Sequence, residues 1–265
     1  MIKLLIILSA LAGIESDVAE LCKTSRVSGS VNCQRAAQFI TKRLKDNSYT
    51  VEQQEFAKND FNIVAFKGDI SQTNKTIVIG AHYDTVSTTL GADDNASGTT
   101  GVLHLADKLK DVKTKHQVIF ILFGDEESGM VGSRYYVNNP VSPLKNIKVM
   151  VNMDMIGNLS SSWADSPTID SVLDELFPRY PFAKSITFRA GERTDSLSFF
   201  NKRVPVIWLF TGTHNRYHRS TDTPDSLNYA GMTSILKYAY DFIIKLDGMT
   251  KVNYDNLYSS LPEKP

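Results

Sequence analysis

Five side chains of metal-binding type, His82, Asp94, Glu127, Asp154 and His218, each follow a short apolar run or lie in a loop rich in Gly and Asp. A sixth acid, Glu126, is adjacent to one of them. Two imidazoles and three carboxylates form a nitrogen- and oxygen-donor set that suits a pair of zinc ions sharing one bridging carboxylate. Glu126-Glu127 alone would read as the solvated start of a loop. Gathered with two His and two more acids, the pair concentrates negative charge at a cost that cations offset. One Glu then coordinates, and the other stays free to accept a proton.

The elements that must position these residues are short apolar runs typical of strands buried on both faces: Thr76–Gly80, Val118–Phe123, Val149–Asn152 and Val204–Phe210. Helical periodicity is expected from about Asn32 to Lys45, where Cys33, Ala36, Ala37, Ile40 and Leu44 share a face. Further helices are expected over Gly98–Val112, Thr168–Phe177 and Tyr229–Leu246, the last with Gly248 as its C-cap. Thr50–Phe56 and Phe61–Lys67 read as a hairpin. Alternating strands and helices predict an α/β fold: one three-layer domain, a mostly parallel mixed sheet with helices on both faces. Ligands then belong at the carboxyl edge of the sheet, where His82, Glu126-Glu127 and Asp154 end three runs and His218 follows the fourth.

Local context refines these roles. Asp-Asn before a helix is ordinarily an N-cap, but the small residues of Gly91–Gly98 also let backbone approach an ion. Asp84, two residues after His82, is suited to hold that imidazole's other nitrogen. Of the remaining histidines, His104 reads as packed within a helix, His116 as exposed among lysines, and His214 as a loop residue without a site role.

The bulk composition narrows the partners. The 265 residues hold 29 Lys plus Arg and 29 Asp plus Glu, so no basic face for nucleic acid or an acidic membrane is expected. Lys3, the apolar Leu4–Leu11 and Ala10-Leu11-Ala12 match a signal peptide of residues 1–12 ahead of a domain at 13–265. The apolar run is shorter than the roughly 20 residues of a membrane span. A secreted or periplasmic protein is expected, in which Cys22 and Cys33 could close a small loop as a disulfide. Asn74 and Asn158 begin glycosylation sequons.

Five ordered motifs, Gly80–Thr85, Gly91–Gly98, Asp125–Ser133, Asn152–Met155 and Tyr217–Thr223, make the chain resemble the co-catalytic di-zinc aminopeptidases of the bacterial leucyl aminopeptidase type. The resemblance implies that Asp94 bridges two zinc ions, with His82 and Asp154 completing one site and Glu127 and His218 the other. It implies Glu126 as general base, Asp84 as the partner of His82, and a cis Asp94–Asn95 peptide. Tyr217 either donates to a developing oxyanion or packs. Met155 is a candidate pocket wall, and Arg193 either contacts substrate or forms a surface ion pair. Where the family often has Ser-Asp-His or Ser-Asp-Tyr, this chain has Thr194-Asp195-Ser196, which alters the expected pocket edge. The implied substrates are peptides or small proteins with a free N-terminus, handled by a monomer. Two alternatives share the fold: a single-zinc glutaminyl cyclase and a non-catalytic binding module. Tyr217, where such cyclases tend to carry Trp, and the complete donor set weigh against them.

Overall fold

The computed structural model describes residues 2–68, 75–159, 183–184 and 193–249. Helix α1 (Ile2–Leu21) comes first, and its Ile14, Val18 and Leu21 enter the core. Asp17 on α1 accepts hydrogen bonds of 2.8–3.2 Å from the Arg43 guanidinium, which ties α1 to α2 (Val31–Asp46). Ser30 caps α2 by accepting from the Cys33 amide, and the buried face is the expected Cys33, Ala36, Ala37, Ile40 and Leu44. The hairpin follows as β1 (Thr50–Ala57) and β2 (Asp60–Phe66).

The remaining strands are β3 (Thr76–His82), β4 (Gln117–Phe123), β5 (Ile147–Met153), β6 (Ala183–Lys184) and β7 (Val206–Leu209). They form one sheet in the order β1-β2-β4-β3-β5-β7-β6, parallel among β3, β4, β5 and β7 and antiparallel elsewhere. Successive side chains enter opposite faces. Ile77, Ile79, Phe120, Leu122, Val149 and Val151 pack under α1, α2, α3 (Gly98–Leu109) and the last helix α6 (Tyr229–Gly248). Val78, Ile119, Ile121, Phe123 and Met150 pack under α4 (Val131–Asn138) and α5 (Asp195–Phe200). Burial on both faces explains why these strands read as unbroken apolar runs. The helix expected at 168–177 lies outside the described residues.

From β3 the chain crosses over α3 to β4 on one side, then returns past β3 over α4 to β5 on the other. This reversal places a crevice at the carboxyl end of β3, the position where open α/β sheets bind ligands. His82 pairs in register with Phe123 there.

Three expectations are corrected. Cys22 and Cys33 are free thiols, both buried in the apolar core. His116 is half-buried rather than exposed: its Nδ1 lies 2.9 Å from Asp247 Oδ1, and Lys148 Nζ lies 3.4 Å from its Nε2. Gly248 ends α6 as its last helical residue, and the cap position falls on Met249. Among the described residues no helix is long and apolar enough to cross a membrane.

His104 on α3 is half-buried as expected, and burial, aided by Lys108, pushes its imidazole down to about 4. The ring is therefore neutral in the fold and protonates more readily once unfolded. Its contribution to stability is complete above about pH 6.5 and is lost as the pH falls toward 4. A His104→Gln variant is expected to lose less stability than the parent between pH 6.5 and 4, read from denaturant midpoints at each pH.

Candidate metal centre

His82 is the last residue of β3, and its ring is 1 % exposed. Asp94 lies in an irregular turn, Ala92–Ser97, that runs directly into α3, and the Asp94–Asn95 peptide is cis as expected. Glu126 and Glu127 are the third and fourth residues of the loop after β4, and Asp154 is the first residue beyond β5. His218, at φ +58°, lies in the loop between β7 and α6.

The fold brings all five candidate ligands together. His82 Nε2 lies 3.2 Å from Asp94 Oδ1 and 3.5 Å from Asp154 Oδ1. His218 Nε2 lies 3.1 Å from Asp94 Oδ2 and 3.0 Å from Glu127 Oε2. Two ligand groups result, His82-Asp94-Asp154 and Asp94-Glu127-His218, each with its donor atoms within 4.8 Å of one another. Asp94 belongs to both and turns one oxygen toward each. Both nitrogens of His82, His218 Nε2 and Glu127 Oε1 are buried and lack a hydrogen-bond partner among the described residues. Buried polar atoms are rarely left so, and the donor set fits cations.

Electrostatics agree. Burial opposes charge on His82, yet Asp154, Asp84 and Asp94 hold its imidazole well above the usual range. Asp94 raises His218 in the same way. Burial would lift Asp94, but His218 and His82 hold it below the usual carboxylate range. Burial, reinforced by repulsion from Asp94, pushes Glu127 up to about 7. Burial likewise drives Glu126 well above a normal carboxylate. The carboxylates thus favour positive charge beside both imidazoles, as a cation would supply.

The surrounding residues hold these ligands through main-chain groups. Asp84 Oδ1 lies 3.4 Å from His82 Nδ1, and its two oxygens also accept from the amides of Glu126 at 3.0 Å and Glu127 at 3.2 Å. Asn95 donates to Met153 O at 3.0 Å and accepts from Gly98 and Met155 amides, binding the turn to the end of β5. Asp222, fully buried, accepts from the Asp93 amide at 2.8 Å and the Asp94 amide at 3.1 Å. Asp93 accepts from Gly157 N at 2.7 Å and lies 2.8 Å from His214 Nε2. Because His214 Nδ1 accepts from the Arg216 amide, Nε2 is the donor to Asp93. His214 thereby links the His218 loop to the turn that carries Asp94.

Sequence reasoning assigned no role to Asn95, Asp93 or Asp222, although all three lie inside the quoted motifs. The departing triplet also acts differently from expectation. Thr194 donates to Asp154 Oδ2 at 2.9 Å and accepts from Asn152, so the change touches a candidate ligand. Asp195 and Ser196 are fully buried and do not form an open pocket edge. Tyr217, 39 % exposed, stacks on the His218 ring with centroids 3.8 Å apart, a packing role. Met155 is buried beside Asp154, and Arg193 is exposed one residue before Thr194.

A family model described as peptidase family M28 matches residues 62–243. The chain belongs to peptidase family M28. An aminopeptidase of Pseudomonas aeruginosa (strain UCBPP-PA14) is 30% identical over 213 residues, covering 74% of this M28 chain and 38% of that protein. The chain spans about half or less of the length of the curated relatives it matches. The M28 fold is shared with an aminopeptidase from Aneurinibacillus sp. strain AM-1, at TM-score 0.72 and 17% identity over 88% of this chain and 93% of that one. It is shared also with the glutaminyl cyclase of Porphyromonas gingivalis, at TM-score 0.68 and 16% identity over 89% and 96%.

Removing the Asp222 carboxylate would orphan two buried amides in the turn of this M28 site, at roughly 1–3 kcal/mol for each unsatisfied group. Asp222→Ala is therefore expected to fold with stability reduced on that scale, read from urea unfolding. A loss within measurement error would show that Asp222 does not hold the turn.

Proposed function

We propose that this chain is a zinc-dependent aminopeptidase that hydrolyses N-terminal peptide bonds. The observation that carries this reading is Asp94, whose two oxygens face two separate His-carboxylate groups. His82 and Asp154 would hold one zinc, Glu127 and His218 the second, with Asp94 between them. When bound, the ions supply Lewis acidity to the scissile carbonyl and to the attacking water.

Glu126, kept in place through the Asp84 bond to its amide, takes the proton of that water and returns it to the departing amine. Tyr217 packs on the ring of His218 and keeps it in place. Met155 and Arg193 bound the substrate side. The substrates are peptides or small proteins with a free N-terminus, met outside the cytoplasm by a monomer after residues 1–12 are removed. The charge, apolar run and Ala-Leu-Ala pattern support the last point.

The similarity to a glutaminyl cyclase supports a second reading on the same scaffold. A second complete ligand group disfavours it, since one zinc would suffice for acyl transfer. Incubation with a glutaminyl peptide separates the two: free glutamine marks the aminopeptidase, ammonia and a cyclised N-terminus the cyclase.

Two outcomes are expected of the purified protein. It should bind two zinc ions and hydrolyse aminoacyl anilides to the free amino acid and the aniline, while Glu126→Gln keeps both ions and loses about 10²–10⁴-fold in kcat; near-parental turnover of that variant would remove Glu126 as the base. Zinc binding requires neutral imidazoles, and neighbouring carboxylates hold His82 and His218 above the ordinary imidazole range, so binding is expected to displace protons. Zinc affinity should then weaken as pH falls, with proton release seen as binding heats that differ between buffers of different ionisation enthalpy. Equal heats in all buffers would contradict it.

A further inference from the structure

Arg26 is 1 % exposed, and none of the metal-binding motifs contains it. It also precedes residues 62–243 matched by the family model. Its guanidinium donates to four main-chain carbonyls: Nε to Tyr83 O at 2.8 Å, Nη1 to Leu21 O at 2.9 Å and Leu90 O at 2.7 Å, and Nη2 to Gly91 O at 2.9 Å. Its own main chain forms a second clamp, with the amide donating to Thr85 Oγ1 at 2.9 Å and the carbonyl accepting from the Thr85 amide at 3.2 Å.

These acceptors belong to three segments. Tyr83 stands between His82 and Asp84, and Thr85 follows them. Leu90 and Gly91 enter the turn that carries Asp94, and the Gly91 carbonyl also accepts from the Ala96 amide inside that turn. Leu21 is the last residue of α1, whose terminal carbonyls have no partner within the helix. Gly91 is packed so closely that an added Cβ would lie 2.4 Å from Thr85 Cγ2 and 3.2 Å from Arg26 Nη2. The guanidinium therefore fills the space between the His82–Thr85 segment and the Asp94 turn, and its reach sets their separation.

We propose that Arg26 is a positioning residue that fixes the distance between His82 and the shared Asp94, and so controls metal affinity while anchoring α1 to the site. This rests on the reading of the metal centre given above. The requirement is for arginine rather than for a cation, because a planar fork spans four carbonyls and a lysine ammonium, with three donors at one point, does not.

The test compares the full chain with Arg26→Lys and Thr85→Val. Folding is checked by circular dichroism and thermal melting without metal, zinc affinity by competition with a chromogenic chelator, and kcat and KM on an aminoacyl anilide. Arg26→Lys is expected to melt cooperatively yet bind zinc at least ten-fold more weakly, with kcat falling more than KM rises. Thr85→Val, which removes one clamp bond and leaves the guanidinium, should weaken zinc in the same direction by a smaller factor, and it decides the matter if Arg26→Lys does not fold. Parental zinc affinity and kcat in the folded Arg26→Lys, or in Thr85→Val where Arg26→Lys does not fold, would overturn the positioning role alone. A parent chain that binds no zinc would overturn the metal centre and this role together.

Discussion

Asp94 faces two imidazoles at once, 3.2 Å on one side and 3.1 Å on the other, and each imidazole has a further carboxylate beside it. The rest of the structure can be understood as what that pose demands. Two like charges 4 Å apart cost about 4 kcal/mol at the effective dielectric of a protein surface, and more when drier. Asp84, Asp94, Asp154 and the Glu pair crowd into one crevice where solvent contributes little. The described side chains leave ring nitrogens and a Glu127 oxygen in this crevice without hydrogen bonds. Such a cluster is poorly explained as a device for stability. Its arrangement makes sense when positive charge arrives from outside.

Holding the cluster together requires rigid backbone at three loops. Asp125, Met155 and His218 all adopt left-handed φ, a conformation that costs non-glycine residues of order 1–3 kcal/mol when the surroundings impose it. Each is locked by main-chain bonds. The Asp125 carbonyl accepts from the Val131 amide, Met155 is bonded at both its amide and its carbonyl, and Thr88 donates to the His218 carbonyl at 2.9 Å. The sheet makes this rigidity possible. β3 is central and buried on both faces, and its carboxyl end gives the converging loops a common packed base.

The elements of that sheet were legible because burial imposes a pattern within a few residues. Ile77–Ile79, Val118–Phe123 and the α2 stripe from Cys33 to Leu44 each show their environment locally. The ligands were legible because an acid or imidazole at the end of an apolar run is conspicuous. What escaped notice acts through partners far along the chain. Asp222 holds amides 128 and 129 residues away, and Arg26 reaches carbonyls up to 65 residues away. Their partners are main-chain groups, which every residue possesses, so residue type at the receiving end carries no signal. His116 was misjudged for a related reason: lysines beside it suggested solvent, while its carboxylate partner Asp247 lies 131 residues on.

The donor chemistry also bears on which ion such a centre selects. Imidazole and carboxylate alone are compatible with several first-row divalent cations, and affinity among them follows the metal more than the protein. Thiolate ligands would favour soft ions such as Cu(I), but Cys22 and Cys33 lie in the apolar core, outside both ligand groups, with burial pushing their thiols up. Selectivity then has to come from geometry, through the spacing of His82, Asp94 and His218. That spacing is set by backbone clamps such as Asn95, Asp222 and Arg26 rather than by the ligands themselves. The residues least visible in the sequence are thus the ones that decide what the most visible ones can bind.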